Sequence, residues 1–244
     1  MSGYDTAGTI QSVGPGALSE FGLNPQFWIR YFSPSPAADC LNSSASGAVA
    51  ECDGLWTYNN NSPGLGVISE PSQSRLSGSS AEGQADAQQY MASLLFAYHS
   101  VTPLQYPTNG TMWCWLGQEA STTLSAGYWT GWASYVNGYG SPMHAALYCD
   151  PYAAPPNCTV IDNYNGTSSA CYAVWSSEPE YTSSCAGGLA NPPSWAADSC
   201  ASVGTRLWQY VEQGVCGYSA DVDLDQAAPG YTYKNYCFYL SSKP

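Results

Sequence analysis

The chain has 244 residues, of which 44% are hydrophobic and only 9% charged, and its five basic against eighteen acidic residues leave a net charge of −13. That balance excludes nucleic acid and anionic membranes as natural partners and suits a neutral or cationic one. The apolar content is enough for a sizeable core, and the surface must be covered by Ser, Thr, Asn, Gln, Gly and Tyr rather than by charge.

In chain order, eight short apolar runs end at polar residues, each bounded by Pro, Gly or Ser. They are Gly3–Gly8 with Asp5, Phe27–Phe32 with Arg30 and Tyr31, Leu65–Pro71 with Glu70, and Met112–Glu119. His144–Pro151 with Tyr148 and Asp150, Cys171–Ser176 with Trp175, Arg206–Val211 with Gln209, and Ala220–Asp225 with Asp223 complete the set. Ser79 and Ser80 can cap a helix with Glu82 and Asp86 in its first turns, reaching Phe96. A second helix is expected from Thr122 to Asn137 with Leu124, Tyr128, Trp132 and Tyr135 on one face, and part of Ser43–Trp56 is expected to be helical. Residues 152–170 and 176–203 read as loops.

Strands alternating with helices favour a parallel sheet, and eight of them in this length favour an α/β fold: a single (β/α)8 TIM-like barrel over residues 1–244, degenerate in its second half. Ten cysteines fit an oxidising compartment and disulfide-stapled loops. Local grouping suggests Cys40 with Cys52, Cys158 with Cys171, Cys185 with Cys200 and Cys216 with Cys237, leaving Cys114 and Cys149. Sequons begin at Asn42, Asn60, Asn109, Asn157 and Asn165, as in a glycosylated secreted protein. No apolar stretch is long enough for a membrane span. With no C-x-x-C pair and two histidines, His99 and His144, neither a metal nor a cofactor is expected.

In such a barrel the strand ends would gather Asp5, Arg30, Glu70, Glu119, Asp150, Gln209 and Asp223 at one mouth, with Trp28, Tyr31, Trp115, Tyr148, Trp175, Trp208 and Tyr210 nearby in sequence. Strand alternation sends some of these aromatics to the outer layer. Carboxylates and aromatic faces together suit glycoside chemistry, which needs one acid for the leaving oxygen and one carboxylate as base or nucleophile. Asp221 and Asp225 flank Asp223 on one strand face.

The series Gly3-Tyr-Asp5-Thr, Trp28-Ile-Arg-Tyr31, Val67-Ile-Ser-Glu70 and Gly83-Gln-Ala-Asp86-Ala, closed by Leu207-Trp-Gln-Tyr210 and Val222-Asp-Leu-Asp225, resembles the glycoside-hydrolase-like domain of unknown function 1906. That domain is typified by a mycobacterial secreted protein and is related to the family 25 lysozymes. The resemblance implies a TIM-like barrel that acts on or binds a cell-wall or extracellular polysaccharide, a peptidoglycan-like glycan among them, outside the cell. It implies Glu119 as general acid. Family 25 lysozymes carry Asp-x-Glu at the end of the fourth strand, where this chain has Gly117-Gln-Glu119. The second catalytic carboxylate is therefore open among Asp5, Glu70 and Asp223, with Asp5 or Asp223 expected as base or nucleophile and Glu70, Arg30, Tyr31, Tyr148, Asp150, Trp175 and Gln209 expected around the substrate. The rival expectation is a non-catalytic glycan-binding or extracellular assembly protein using the same mouth.

Overall fold

The structure, a computed structural model, describes residues 2–6, 9–21, 25–31, 45–58, 64–119, 122–152, 158–181, 193–198, 201–212 and 222–244. Its strands are β1 (Ser2–Thr6), β2 (Phe27–Tyr31), β3 (Gly64–Ser69), β4 (Leu104–Gln105), β5 (Met112–Gln118), β6 (Met143–Cys149), β7 (Val174–Tyr181), β8 (Thr205–Val211), β9 (Asp223–Ala227) and β10 (Phe238–Leu240). The helices are α1 (Ile10–Phe21), α2 (Ala45–Thr57), α3 (Ser80–Ser100), α4 (Ala126–Gly138) and the single short turn α5 (Cys158–Asp162). The sheet order β2-β1-β9-β8-β7-β6-β5-β3, with β3 pairing back to β2, closes an eight-stranded TIM-like barrel.

Seven of these strands run parallel, but β9 is antiparallel to both β8 and β1, which corrects the all-parallel expectation. The reversal leaves the acids at the mouth. Asp223 begins β9 rather than ending it, and it pairs with Asp5 near the C-terminal end of β1. Alternation along a strand is the same read in either direction, so residue pattern cannot reveal this polarity.

Strand parity divides the core in two. Phe27, Ile29, Ile68, Trp113, Trp115, Tyr148, Trp175 and Leu207 fill the barrel interior. Tyr4, Trp28, Val67, Cys114, Leu116, Trp208 and Tyr210 face the helices. The small Ala146 leaves room for Trp115 to meet Trp175 edge-on at 5.8 Å. The floor is made by the C-terminal segment, which the eight runs do not include. The 3-10 turn Tyr233–Tyr236 inserts Tyr233, whose hydroxyl accepts from Trp115 Nε1 at 3.0 Å, and β10 then pairs with β3 and β4. A side chain at Gly66 would strike that hydroxyl at 2.3 Å, so the glycine makes room for the plug.

The helix α3 starts as expected: Ser79 and Glu82 form a capping box. By contrast α4 starts four residues later than expected, where Ser125 caps Tyr128 N at 2.9 Å. Asp86 is held by Arg75 in a two-bond fork at 2.8 Å each and by Tyr128 at 2.6 Å. Gly83 and Gly131 let α3 and α4 touch, since a Cβ at Gly83 would lie 2.1 Å from Tyr128 O and one at Gly131 only 1.9 Å from Ser80 O. The Gly83-to-Asp86 motif is therefore a packing element. Gly131→Ala is expected to destabilise the fold by about 1–3 kcal/mol, read as a lower urea midpoint with an unchanged m-value.

Three further expectations change. Helix α1 was not foreseen, because Gly14, Pro15 and Gly16 interrupt its pattern. The segment read as a loop from residue 176 begins as strand, with β7 running to Tyr181. Finally, the disulfide staples are not formed by the cysteines described here: Cys52, Cys114, Cys171 and Cys237 are buried free thiols. Cys114 aligns with Ala145 and Cys149 with Gln118. Those leftover cysteines are thus four residues apart along neighbouring strands, about 13 Å, beyond the reach of a disulfide. Cys40, Cys185, Cys200 and Cys216 lie outside the described residues, as does the side chain of Cys158. Of the sequons, Asn109 and Asn165 are exposed, while Asn42, Asn60 and Asn157 lie outside the description. Among the described residues, no helix is long and apolar enough to cross a membrane.

Candidate functional site

Interior parity carries upward to the C-terminal ends of the strands. Asp5 is in phase with Gly3, Tyr31 with Ile29, Glu70 with Ile68, Glu119 with Trp115, and Asp150 with Tyr148. These residues form the upper layer of the barrel, where loops begin and reactive groups can gather.

Gln209, on β8 and almost fully buried, ties this layer together. Its Nε2 donates to Asp5 Oδ2 at 3.2 Å and to Asp223 Oδ2 at 2.9 Å. Its Oε1 accepts from Tyr148 OH at 2.9 Å and Ser177 Oγ at 2.8 Å. Tyr31 OH donates to Asp5 Oδ1 at 3.1 Å. Behind them, Trp175 Nε1 donates to Asp225 Oδ1 at 3.0 Å. Trp175 is completely buried, so it supports the layer from below and offers no face to a ligand.

On the opposite wall, Gln73 joins the loop after β3 to the end of β5. Its Oε1 accepts from Glu119 N at 2.9 Å. Glu70 is half-buried there, and Glu119 stands exposed at the lip. Burial, and then the charge of Glu119, pushes the Glu70 carboxyl up to about 7. Glu119 is raised too, first by the protein mass around its inner side and then by Glu212, just past β8. Burial and the charge of Glu119 together let Glu70 keep its proton toward the neutral range. Tyr31 is raised by burial and by the charges of Asp5, Asp223 and Glu70; Tyr148 is raised by burial and by Glu119, Asp5 and Asp223. Both phenols therefore sense carboxylates from the two walls.

Of the sequence-derived candidates, Asp5, Tyr31, Glu70, Glu119, Tyr148, Gln209 and Asp223 come together. Asp150 lies half-buried at the same level, with Oδ1 turned to its own loop at Tyr152 N, 2.7 Å. Arg30 does not join them. Its neighbour Ile29 points inward, so Arg30 points outward, fully buried, and its guanidinium binds Glu51 of α2 and Thr6 O. Glu51 in turn accepts from Ile10 N at the start of α1, 3.1 Å. Trp28, Trp208 and Tyr210 face the helices as well. Sequence reading missed Ser177, which fell in an assumed loop, and Glu212. Asp225 was seen only as a neighbour of Asp223.

Gly117, where the resemblance would place a partner acid, is tightly confined. A Cβ there would meet Ile68 Cδ1 at 3.2 Å and Ser69 O at 3.3 Å. Among the described residues no three His, Cys, Asp or Glu side chains are grouped as a metal-ligand set.

No protein-family model matches the chain. No curated protein matches it either. Solved structures are similar, two of them as follows. A 1.07 Å crystal structure of an uncharacterized B. stearothermophilus protein aligns with a TM-score of 0.65 at 20% identity, over 94% of this chain and 96% of the other. The Tat-secreted protein Rv2525c of Mycobacterium tuberculosis, crystallised in complex with L-tartrate, aligns with a TM-score of 0.50 at 14% identity, over 94% and 96%. The fold is common to all three. At these identities the likeness carries the fold alone.

Proposed function

We propose that this chain is a secreted glycoside hydrolase of the carboxylate acid/base kind, with Glu70 and Glu119 as its working pair. The observation that carries the reading is that Glu70 and Glu119 follow the ends of the paired strands β3 and β5, where Gln73 holds the Glu119 amide, with the Glu70 carboxyl raised to about 7 by burial and by the charge of Glu119. Two acids with separated protonation states are what cleavage of a glycosidic bond requires. Glu70 donates its proton to the leaving oxygen, and Glu119 serves as base or nucleophile, whereas the sequence resemblance implies Glu119 as the acid with Asp5 or Asp223 as its partner. Asp223, oriented by Gln209, and the phenols of Tyr31 and Tyr148 bind sugar hydroxyls, with Asp150 further out. The Tat-secreted neighbour and the sequons support an extracellular setting.

Charge narrows the substrate. Of the five basic residues, Arg30 is committed to Glu51, Arg75 to Asp86, Arg206 to the Tyr231 ring at 4.5 Å and Lys243 to Asp53 at 3.3 Å. Lys234 belongs to the floor turn. A mouth of acids and phenols favours neutral or amine-bearing sugars and repels uronic-acid polymers.

The second reading, a glycan-binding protein without catalysis, is favoured by the tight fit at Gly117. The two readings separate on incubation with a panel of cell-wall and extracellular polysaccharides. Hydrolysis is expected to release reducing ends with the wild type and to fall at least 100-fold with Glu119→Gln. Unchanged glycan affinity in Glu119→Gln, with no reducing ends from either protein, would establish the binding reading instead.

A further inference from the structure

Beneath the mouth, Asp5 on β1 and Asp225 on β9 are both completely buried. The register sets Asp5 opposite Asp223 and Gly3 opposite Asp225, so the three acids face inward from two adjoining strands. Each oxygen can be followed to its donor. Asp5 receives Tyr31 OH and Gln209 Nε2, and Asp225 Oδ1 receives Trp175 Nε1. Asp225 Oδ2 has no N–H or protein hydroxyl to accept from among the described residues. What is hydrogen-bonded to Asp225 is the carboxyl of Asp5. A hydrogen bond between two carboxyl groups requires a proton on one of them, and a buried charged oxygen with no donor is costly.

Among the described side chains that face the pair, none is a cation. Tyr31, Gln209 and Asp223 face Asp5, while Trp175, Asp223 and the floor residue Tyr233 face Asp225. Arg30, on the strand next to β1, is turned outward to Glu51. We propose that Asp5 and Asp225 share one proton at neutral pH, and that Asp225 is thereby a positioning residue that keeps Asp223 ionised and fixed through Asp5 and Gln209. The chain of contacts explains the fixing. With Tyr148 and Ser177 on its oxygen, the Gln209 amide can present only N–H groups to Asp5 and Asp223. A neutral Asp5 then leaves Asp223 the sole charge that this amide serves. Burial raises both Asp5 and Asp225, and a proton carried by Asp5 supplies the donor that Asp225 Oδ2 otherwise lacks.

The test is a carboxyl-carbon NMR titration of the aspartate-labelled full chain from pH 4 to 9, with Asp5, Asp223 and Asp225 assigned by their Asn variants. One proton is expected on the Asp5–Asp225 pair through pH 7, while Asp223 is ionised. In Asp225→Asn, the amide can donate to Asp5, Asp5 ionises, and the Asp223 midpoint should rise by about one pH unit or more. A wild type whose aspartates are all ionised by pH 6 overturns the proposal, as does an Asp223 midpoint that stays put in Asp225→Asn. Should that variant fold poorly, Gln209→Leu decides the linkage: the shared proton should remain while Asp223 titrates higher. An unmoved Asp223 there overturns it equally. No glycan is needed for this measurement, so a failure of the hydrolase reading leaves its outcome intact.

Discussion

Replacing Glu70 with glutamine is expected to slow glycan hydrolysis by about 10²–10⁴-fold and to erase the alkaline limb of the pH–rate profile. The carboxyl is raised from its ordinary 4.5 to about 7 by burial and by the charge of Glu119. Activity that needs the protonated form therefore declines as pH rises through 7, and the acid limb belongs to ionisation of Glu119. Glutamine keeps the size and the hydrogen-bonding edge of the side chain but has no proton to give at any pH. The same shift makes a stability claim with a definite sign. Between about 4.5 and 7 the folded chain holds a proton on Glu70 that the unfolded chain has released, so this group's contribution to stability is full below that window and is lost as pH rises through it. Thermal midpoints measured at pH 5 and pH 8 should therefore differ less in Glu70→Gln than in the wild type. A variant that retains the full alkaline limb would remove Glu70 from the acid role and return that role to Glu119.

How far the residues alone foretell this site depends on what kind of information each part needs. Parity along β5 is local: Trp113, Trp115 and Glu119 share a face, so a carboxylate at the mouth could be read from one strand. Parity also assigns Arg30 to the opposite face from Ile29, but an arginine beside a run of strand-end acids invites a binding role. Only the position of Glu51, twenty-one residues on in α2, reveals its partner. Gln209 is similar. Its four partners come from β1, β6, β7 and β9, and no spacing in the chain encodes that convergence. The direction of β9 is invisible to alternation, although Asp223 reaches the mouth in either sense. Helix α1 is hidden because Gly14 and Gly16 lower its propensity and Pro15 lacks an amide, yet packing on α2 holds it, with the Tyr58 ring lying over Gly14. The cysteines mislead because their even number suggests pairs. Those described are instead hydrophobic residues of the helix-facing and interior layers, separated by register rather than joined by it.

Arg30→Met is expected to destabilise the protein by about 3–5 kcal/mol, lowering the thermal midpoint by on the order of 10 °C for a domain of this size, without weakening glycan affinity in the fraction that remains folded. The arginine is wholly buried and Glu51 nearly so. The guanidinium binds both Glu51 and the Thr6 carbonyl, so it joins α2 to the end of β1. Removing it leaves a carboxylate in an apolar layer, where burial already raises Glu51 against the guanidinium's opposing pull. Removing both charges should be far milder. Arg30→Met with Glu51→Leu eliminates the orphaned carboxylate and is expected to recover most of the loss. Recovery should stop short by about 1 kcal/mol, because Glu51 also accepts the backbone amide of Ile10, and leucine leaves that first amide of α1 without its acceptor. Denaturant unfolding of the two single variants and the double variant would give the coupling directly. A different outcome would separate the two roles open to this residue: if Arg30→Met kept the wild-type midpoint and lost glycan affinity, Arg30 would belong to the mouth after all, and the outward ion pair would not be what holds it.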